Sequence, residues 1–507
     1  MARRRDGDIA PYRQAAREVR TATGHERCAR QRDTSGAHGN GARAVRTATG
    51  HARGERRGMA WERHAGCVAR AHHGTRERNR RGTGGVRLTK EGEKRKITVP
   101  DLDEKFLRNG DFFNFNFHLT MSHLEQEPVR VALLGIGGFG SVYCSNLFGN
   151  PELQTRATLV AAVDPFAETA KWYPELVKRG IPVFRDIDEL FRSDCSPELC
   201  CIATPIQFHK MQTIRCLEKG IGVLLEKPFA GSSEDCREMI RVRDETDGYL
   251  SIGFQWSSDP VMRKAKADRD AGAFGKPIAC KALVMWPRDE AYYKRGIGWA
   301  GRRYAADGTA IFDSVASNAT AHYLFNMLWF MGQGDEGCLP ADVAAIERRA
   351  NEIETYDTIE LRSTLDNGVK LLYLASHAAG KDHFCDPCFE YTFEKGVLRY
   401  NNADQPRGEI VFTANDGTVF SYGQTNRDPG DLKIIQAVDN VRKGRKGVCY
   451  CPPELALKHI LMLEAADKSC GGVRAFPADK VWNDGGFHTV TGLAEELRAH
   501  YAVGALA

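Results

Sequence analysis

The sequence predicts an α/β protein whose first folded unit is a doubly wound parallel sheet. Three observations predict it. Short apolar runs alternate with helix-spaced stretches between Val129 and Gln255. The first of those runs ends in a glycine-rich turn. Beyond it, residues 342–422 alternate apolar and polar positions and carry turns such as Asp366-Asn-Gly368, which reads as a sheet.

The chain has 507 residues, room for about three domains of ~150 residues, and its 42% hydrophobic content suffices for a sizeable core. No apolar stretch reaches the ~18 residues of a membrane span, so no membrane partner is expected. No apolar region follows the charged start Met1-Ala-Arg-Arg-Arg5, so a secretory signal is not expected either. The 15 Cys are irregularly spaced and odd in number, which reads as reduced thiols in a cytoplasmic protein.

The net charge of +5 averages two unlike pieces. Residues 1–100 hold 25 Lys+Arg against 10 Asp+Glu, residues 1–120 net +13, and the remainder nets −8. Before Leu88 the only Ile, Leu, Val or Phe are Ile9, Val19, Val45, Val68 and Val86, so residues 1–120 are expected to be a disordered Arg-rich extension. Val19-Arg-Thr-Ala-Thr-Gly-His25 recurs there as Val45 to His51. Three readings fit: a phosphate-binding arm, a flexible partner-binding tail, or upstream sequence ahead of a true start at Met121. Aromatic residues are scarce before Phe106, which disfavours nucleic acid, and among Lys and Arg every residue before Lys90 is Arg, which favours the third reading.

The folded elements begin at Val129-Arg-Val-Ala-Leu-Leu134, a buried parallel strand by composition, which runs into Gly135-Ile-Gly137-Gly138-Phe139-Gly140. Gly135 permits the tight turn, Gly137 lets the backbone approach a pyrophosphate, and Gly140 lets the next helix pack closely and present its N-terminus to phosphates. Residues 159–163 form a second strand, and Asp164 follows it 24 residues after Gly140, placed either to accept from a ribose 2′-hydroxyl or to cap a helix before Pro165. No Arg follows closely, so NAD is favoured over NADP. Further strands are expected at 181–184, 199–204, 222–227 and 249–255, with helices at 187–191, at 208–219 before Gly220, and after the capping sequence Ser232-Ser-Glu-Asp235.

Lys227 ends the fifth strand, at the edge where open α/β sheets bind ligands, and a buried ammonium there is either partnered or functional. A pair with Glu226 is disfavoured because neighbouring strand residues point to opposite faces. Thr204-Pro205 ends the fourth strand on the same edge, and His209 stands on the following turn.

Gly135-x-Gly137-Gly138-x-Gly140, Ala203-Thr204-Pro205 with His209, and Glu226-Lys227-Pro228 together resemble the Gfo/Idh/MocA oxidoreductases from Val129 onward. The resemblance implies a Rossmann dinucleotide-binding domain, here 121–250, and a C-terminal α/β substrate domain, 251–507, with an open, mainly antiparallel sheet whose outer face makes a homo-oligomer interface. It implies an NAD(P)-dependent dehydrogenase acting on the CH–OH groups of a carbohydrate or polyol. Lys227 matches the family's catalytic lysine, and Gly135, Gly137, Gly138, Phe139, Gly140, Asp164, Thr204, Pro205, His209, Glu226 and Lys227 are expected to line the cofactor. The second family motif, Asp-x-x-x-His, is matched by Asn318-Ala-Thr-Ala-His322, a spacing that sets both residues on one helical face. His322 matches the acid/base histidine; Asn318 replaces the aspartate and cannot stabilise an imidazolium by charge. Asp313 is near in sequence, without an assigned place.

In the expected mechanism, neutral His322 takes the hydroxyl proton and cationic Lys227 stabilises the oxygen. Trp286, Trp299, Tyr292 and Tyr293 suit either sugar faces or packing, and Arg288 is the better substrate candidate. His377 faces either cleft or core. Cys385-Asp-Pro-Cys388 and Cys449-Tyr-Cys451 imitate a zinc site with the wrong spacing, so no metal is expected. The alternatives are a glycoside hydrolase that oxidises its sugar transiently, and a cofactor-binding protein without turnover, which Asn318 suggests.

Overall fold

The structure, a computed structural model, describes residues 127–506 except 404, 426–429 and 446. The basic tail and Met121 lie outside the described residues, as do Asp428 and Pro429, where Asp428-Pro-Gly430 is expected to open a helix. The first sheet contains β1 (Val129–Leu134), β2 (Ala157–Val163), β3 (Val183–Phe184), β4 (Leu199–Ile202), β5 (Gly222–Leu225) and β6 (Leu250–Ile252). Their order is β3-β2-β1-β4-β5-β6 and every neighbouring pair is parallel. Both faces are buried, as the continuous apolar runs demand: Ala132 and Leu134 face one core, Val131 and Leu133 the other. The order reverses between β1 and β4, which opens a crevice at the carboxyl ends of the strands.

All six expected strands form, but three end early. The fourth and fifth stop at Ile202 and Leu225, so Thr204, Glu226 and Lys227 stand in turns beyond the sheet. The sixth stops at Ile252 and gives way to a 3-10 turn, Gln255–Ser258. The helix expected after Ser232 runs Ser233–Glu245, and its cap accepts from the Asp235 amide at 3.2 Å.

The second sheet has nine strands: β7 (Pro277–Met285), β8 (Pro340–Arg349), β9 (Thr358–Leu365), β10 (Lys370–Ser376), β11 (Cys385–Phe393), β12 (Gly396–Tyr400), β13 (Glu409–Ala414), β14 (Val419–Gln424) and β15 (Arg474–Ala475). The order is β14-β13-β12-β11-β7-β10-β9-β8-β15, antiparallel except at β7–β10 and β8–β15. β7 lies outside the stretch that the sequence pattern marked as sheet, yet it is the fifth of the nine strands. One face of the sheet packs on the helix Ala321–Met331, in which every residue except His322 is buried. On the other face, Leu283, Met285, Leu372 and Leu374 meet Leu493, Ala494 and Leu497 of the C-terminal helix Leu493–Val503. Part of the face expected to meet a second copy is therefore covered by the chain itself.

The helix Gly430–Arg442 leaves the second sheet and returns to the first. Its Ile434, Ala437 and Val438 share a core with Val131, Leu133 and Leu224. This return places Lys433 beneath the crevice. No helix among the described residues is long and apolar enough to cross a membrane.

Candidate active site

A cleft of about 1660 Å³ opens at the crevice, lined by the glycine turn, by Asp164, Thr204 and Lys227, and by residues that follow β7. Gly135 has φ +83°, and a Cβ there would lie 2.8 Å from the Ala203 carbonyl oxygen, so glycine is required twice over. At Gly140 a Cβ would collide with the Gly135 carbonyl. Gly137 differs: a Cβ would meet no protein atom within 4 Å. Protein packing does not explain that glycine, whereas close approach of a ligand does. The helix Gly140–Gly149 that follows has no side-chain cap, which leaves its partial positive charge for a phosphate. These features fit a bound dinucleotide.

Asp164 spends one carboxylate oxygen on the Ile136 amide at 3.0 Å and the other on the Phe166 amide at 2.8 Å. It thus ties the glycine turn to the end of β2 while still lining the cleft. Pro205 and Phe139 line the cleft too. The Thr204 hydroxyl donates to Gln212 at 2.6 Å. His209 is buried, with Nε2 3.0 Å from the Thr204 carbonyl and Nδ1 3.0 Å from that of Pro228. It braces the turns after β4 and β5 against one another, and burial pushes its imidazole below the usual range.

Glu226 and Lys227 separate as expected. The buried Glu226 carboxylate pairs with Lys433, accepts from the Tyr143 hydroxyl at 2.7 Å, and so joins the returning helix to the floor of the cleft. A Cβ at Gly253 would press on this carboxylate, so glycine makes its room. Lys227 points across the cleft. Its Nζ donates to Asn318 Oδ1 at 2.8 Å and to the Asn318 carbonyl at 2.9 Å. The Asn318 amide in turn donates to Asp313 Oδ1 at 2.8 Å, and Asp313 Oδ2 accepts from the Gly301 amide at 2.7 Å. The acid missing at position 318 is thus present one hydrogen bond further back. Burial, partly offset by Glu226, pulls the Lys227 ammonium down to about 8.

Asn318 and His322 do not share one regular helix. Val315–Ala319 is a π-helical turn, closed by the Thr320 amide on the Val315 carbonyl, and the α-helix starts only at Ala321. The Tyr373 hydroxyl holds that junction by donating to Thr320 Oγ1 at 2.6 Å. Both residues still line the cleft. Burial, reinforced by Lys227 and Lys433, drives the His322 imidazole well below its ordinary range, so it is neutral at working pH. Its Nδ1 is enclosed without a partner among the described residues.

Trp286, Arg288, Tyr292 and Trp299 line the opposite wall. His377 is not among the lining residues; it is buried, and its Nδ1 is 2.9 Å from the Tyr293 hydroxyl. Cys385 and Cys388 flank an irregularity in β11. Interaction between the two thiols lowers that of Cys385 and, with burial, raises that of Cys388, while the sulfurs donate to the Asp386 and Leu283 carbonyls. Sequence reasoning missed Lys433 and Arg295, neither of which belongs to a local motif, and left Asp313 unplaced.

Residues 129–254 match the family model described as an oxidoreductase family with an NAD-binding Rossmann fold. That segment, the first sheet with its crevice turns, is the part of the chain similar to the Gfo/Idh/MocA oxidoreductases. Among its relatives, inositol 2-dehydrogenase of Rubrobacter xylanophilus is 30% identical over 41% of this chain and 53% of its own length. The NAD-dependent scyllo-inositol 2-dehydrogenase of Bacillus subtilis is 30% identical over 31% of this chain and 45% of its own length. The chain thus spans about half the length of the relatives it matches. The WlbA dehydrogenase from Bordetella pertussis, solved with NADH and UDP-GlcNAcA, superposes with a TM-score of 0.55 at 20% identity, over 68% of this chain and 97% of that one. The glycine turn and the Glu226-Lys227-Pro228 turn both fall inside the matched segment, whereas Asp313, Asn318 and His322 lie beyond it.

Proposed function

We propose that this chain is a Gfo/Idh/MocA oxidoreductase, an NAD-dependent dehydrogenase that oxidises a hydroxyl-bearing carbon of a sugar or polyol. The observation that carries the reading is the chain Lys227–Asn318–Asp313 at the cleft floor, beside a glycine turn shaped for a dinucleotide. When bound, the nicotinamide supplies the acceptor for the hydride. Gly137 and the uncapped helix start would hold its phosphates, and Asp164 its adenosine ribose. The carboxylate at Asp164 favours NAD, since it repels a 2′-phosphate.

The chain's own groups handle the proton. Asn318 accepts two N–H bonds from Lys227, which leaves the third position on Nζ for the substrate. In the neutral amine that position is a lone pair able to take the hydroxyl proton; in the ammonium it is an N–H able to return a proton to a carbonyl. A group with a pKa of about 8 suits both directions. His322, held neutral, hydrogen-bonds and orients the hydroxyl. This division of labour differs from the expected one, in which His322 took the proton, because burial makes its imidazole the weaker base.

The test uses the full chain with NAD and a panel of sugars, polyols and glycosides. Net formation of NADH with an oxidised product supports the dehydrogenase. Glycoside hydrolysis without net NADH, or binding of NADH without any turnover, contradicts it.

A further inference from the structure

The wall facing Lys227 carries a concentration of positive charge that the proposed proton transfer does not use. Arg288 and Arg295 are half-buried there, and Arg302 is exposed at the rim. Arg295 stacks on Tyr292 at 3.5 Å and on Trp299 at 4.9 Å; Arg288 stands 5.2 Å from the Tyr292 ring and 5.8 Å from that of Trp286. Contact with aromatic faces restrains these guanidiniums without consuming their donors.

Each guanidinium has five N–H donors, yet Arg288 makes one bond, to the Pro287 carbonyl at 3.2 Å, and Arg295 one, to the Tyr292 carbonyl at 3.0 Å, among the described residues. The acids that line the cleft are engaged elsewhere: Glu226 by Lys433, Asp386 by Arg407, Asp164 by two backbone amides, and Asp307 by the Thr309 amide. Asp313, behind this wall, has one oxygen on Gly301 and the other on Asn318. The guanidinium charge is felt by the neighbours, Asp313 among them. After burial itself, Arg288 and Arg295 are what hold the His377 imidazole well below its usual range, and Arg295 also acts on Lys227.

We propose that Arg288 and Arg295 form a subsite for an anionic group on the substrate, so that this enzyme takes a sugar or polyol bearing a carboxylate or a phosphate. Planar guanidiniums held beside aromatic rings match the oxygen geometry of both groups, and a neutral polyol would leave the donors unsatisfied. Arg302 adds attraction at the entrance. The inference rests on the reading of this cleft as a substrate site, and binding tests it apart from hydride transfer.

Calorimetric titration of the full chain, with NADH present, compares matched probes at low ionic strength: glucuronate against glucose, galacturonate against galactose, and glucose 6-phosphate against glucose. At least one anionic probe should bind about tenfold or more tightly than its neutral partner. The preference should fall to near unity in Arg288→Gln/Arg295→Gln, and survive in part in Arg288→Lys/Arg295→Lys, while NADH affinity in both variants stays at the wild-type level. The acid pairs and the phosphate pair separate the two sources of charge. Equal binding of charged and neutral partners throughout, or a preference unchanged in the Gln variant, overturns the subsite. Anion-selective binding with no oxidation of any probe leaves the subsite standing and counts against the dehydrogenase reading.

Discussion

Asn318 sits between a cation and an acid, its Oδ1 2.8 Å from Lys227 Nζ and its Nδ2 2.8 Å from Asp313 Oδ1. The two contacts fix the amide, because flipping it would set its nitrogen against the ammonium and its oxygen against the carboxylate. Asparagine here passes the influence of Asp313 to Lys227 without adding a charge. Asn318→Asp should therefore not be harmless. It would set a second carboxylate against the buried Asp313 and raise the Lys227 pKa, moving the activity profile to higher pH. Asp313→Asn alone should lower kcat/KM by roughly ten- to a hundredfold, on the scale of a lost charge-assisted hydrogen bond, with NADH binding retained. The double variant Asp313→Asn/Asn318→Asp should recover part of that loss.

The pH dependence follows from Lys227. Its pKa is pulled down to about 8, so the neutral amine fills in as pH rises through that value. With NAD and a hydroxyl substrate, kcat/KM should climb across this range and level off above it. Carbonyl reduction, which needs the ammonium, should fall over the same range. A profile in the oxidation direction that is flat through this region would contradict the assignment of the proton to Lys227.

Gly135 and Gly137 separate folding from binding. Gly137→Ala should change stability by no more than about 1 kcal/mol, since its Cβ meets no protein atom, yet weaken NADH binding by roughly tenfold or more. Gly135→Ala should destabilise the fold by about 2 kcal/mol or more, because it combines a left-handed backbone with a clash on Ala203. Urea denaturation and NADH titration of both variants check the contrast.

The Glu226–Lys433 pair couples the returning helix to the cleft. Lys433→Met strands a buried carboxylate and should cost about 3–5 kcal/mol in denaturant unfolding. Glu226→Gln/Lys433→Met should recover much of this, because no charge is then left unpaired.

What the sequence disclosed depends on how local the cause is. The glycine turn, Asp164 and Lys227 were legible because a strand, its terminal turn and the ligand edge all follow from consecutive residues. Asn318 and His322 were legible as a pair, but the turn between them was not. It is π-helical because the Thr320 amide and hydroxyl both bond Val315, and the Tyr373 hydroxyl holds Thr320 from 53 residues away. Lys433 reaches Glu226 across 207 positions, and nothing local to either residue announces that pair. β7 escaped because its neighbours β10 and β11 lie about a hundred residues on, one of them in parallel. Arg295 reads as an ordinary surface arginine until Tyr292 and Trp299 are seen to enclose it.

The most direct test of the central claim is nicotinamide reduction by the full chain and by Lys227→Met, each assayed with NAD over a panel of neutral and acidic sugars and polyols while NADH affinity is measured in parallel. Substrate-dependent NADH formation is expected in the wild type. In the variant a loss of about a hundredfold or more in kcat/KM is expected, with NADH affinity unchanged. Turnover in Lys227→Met close to that of the wild type would contradict the claim.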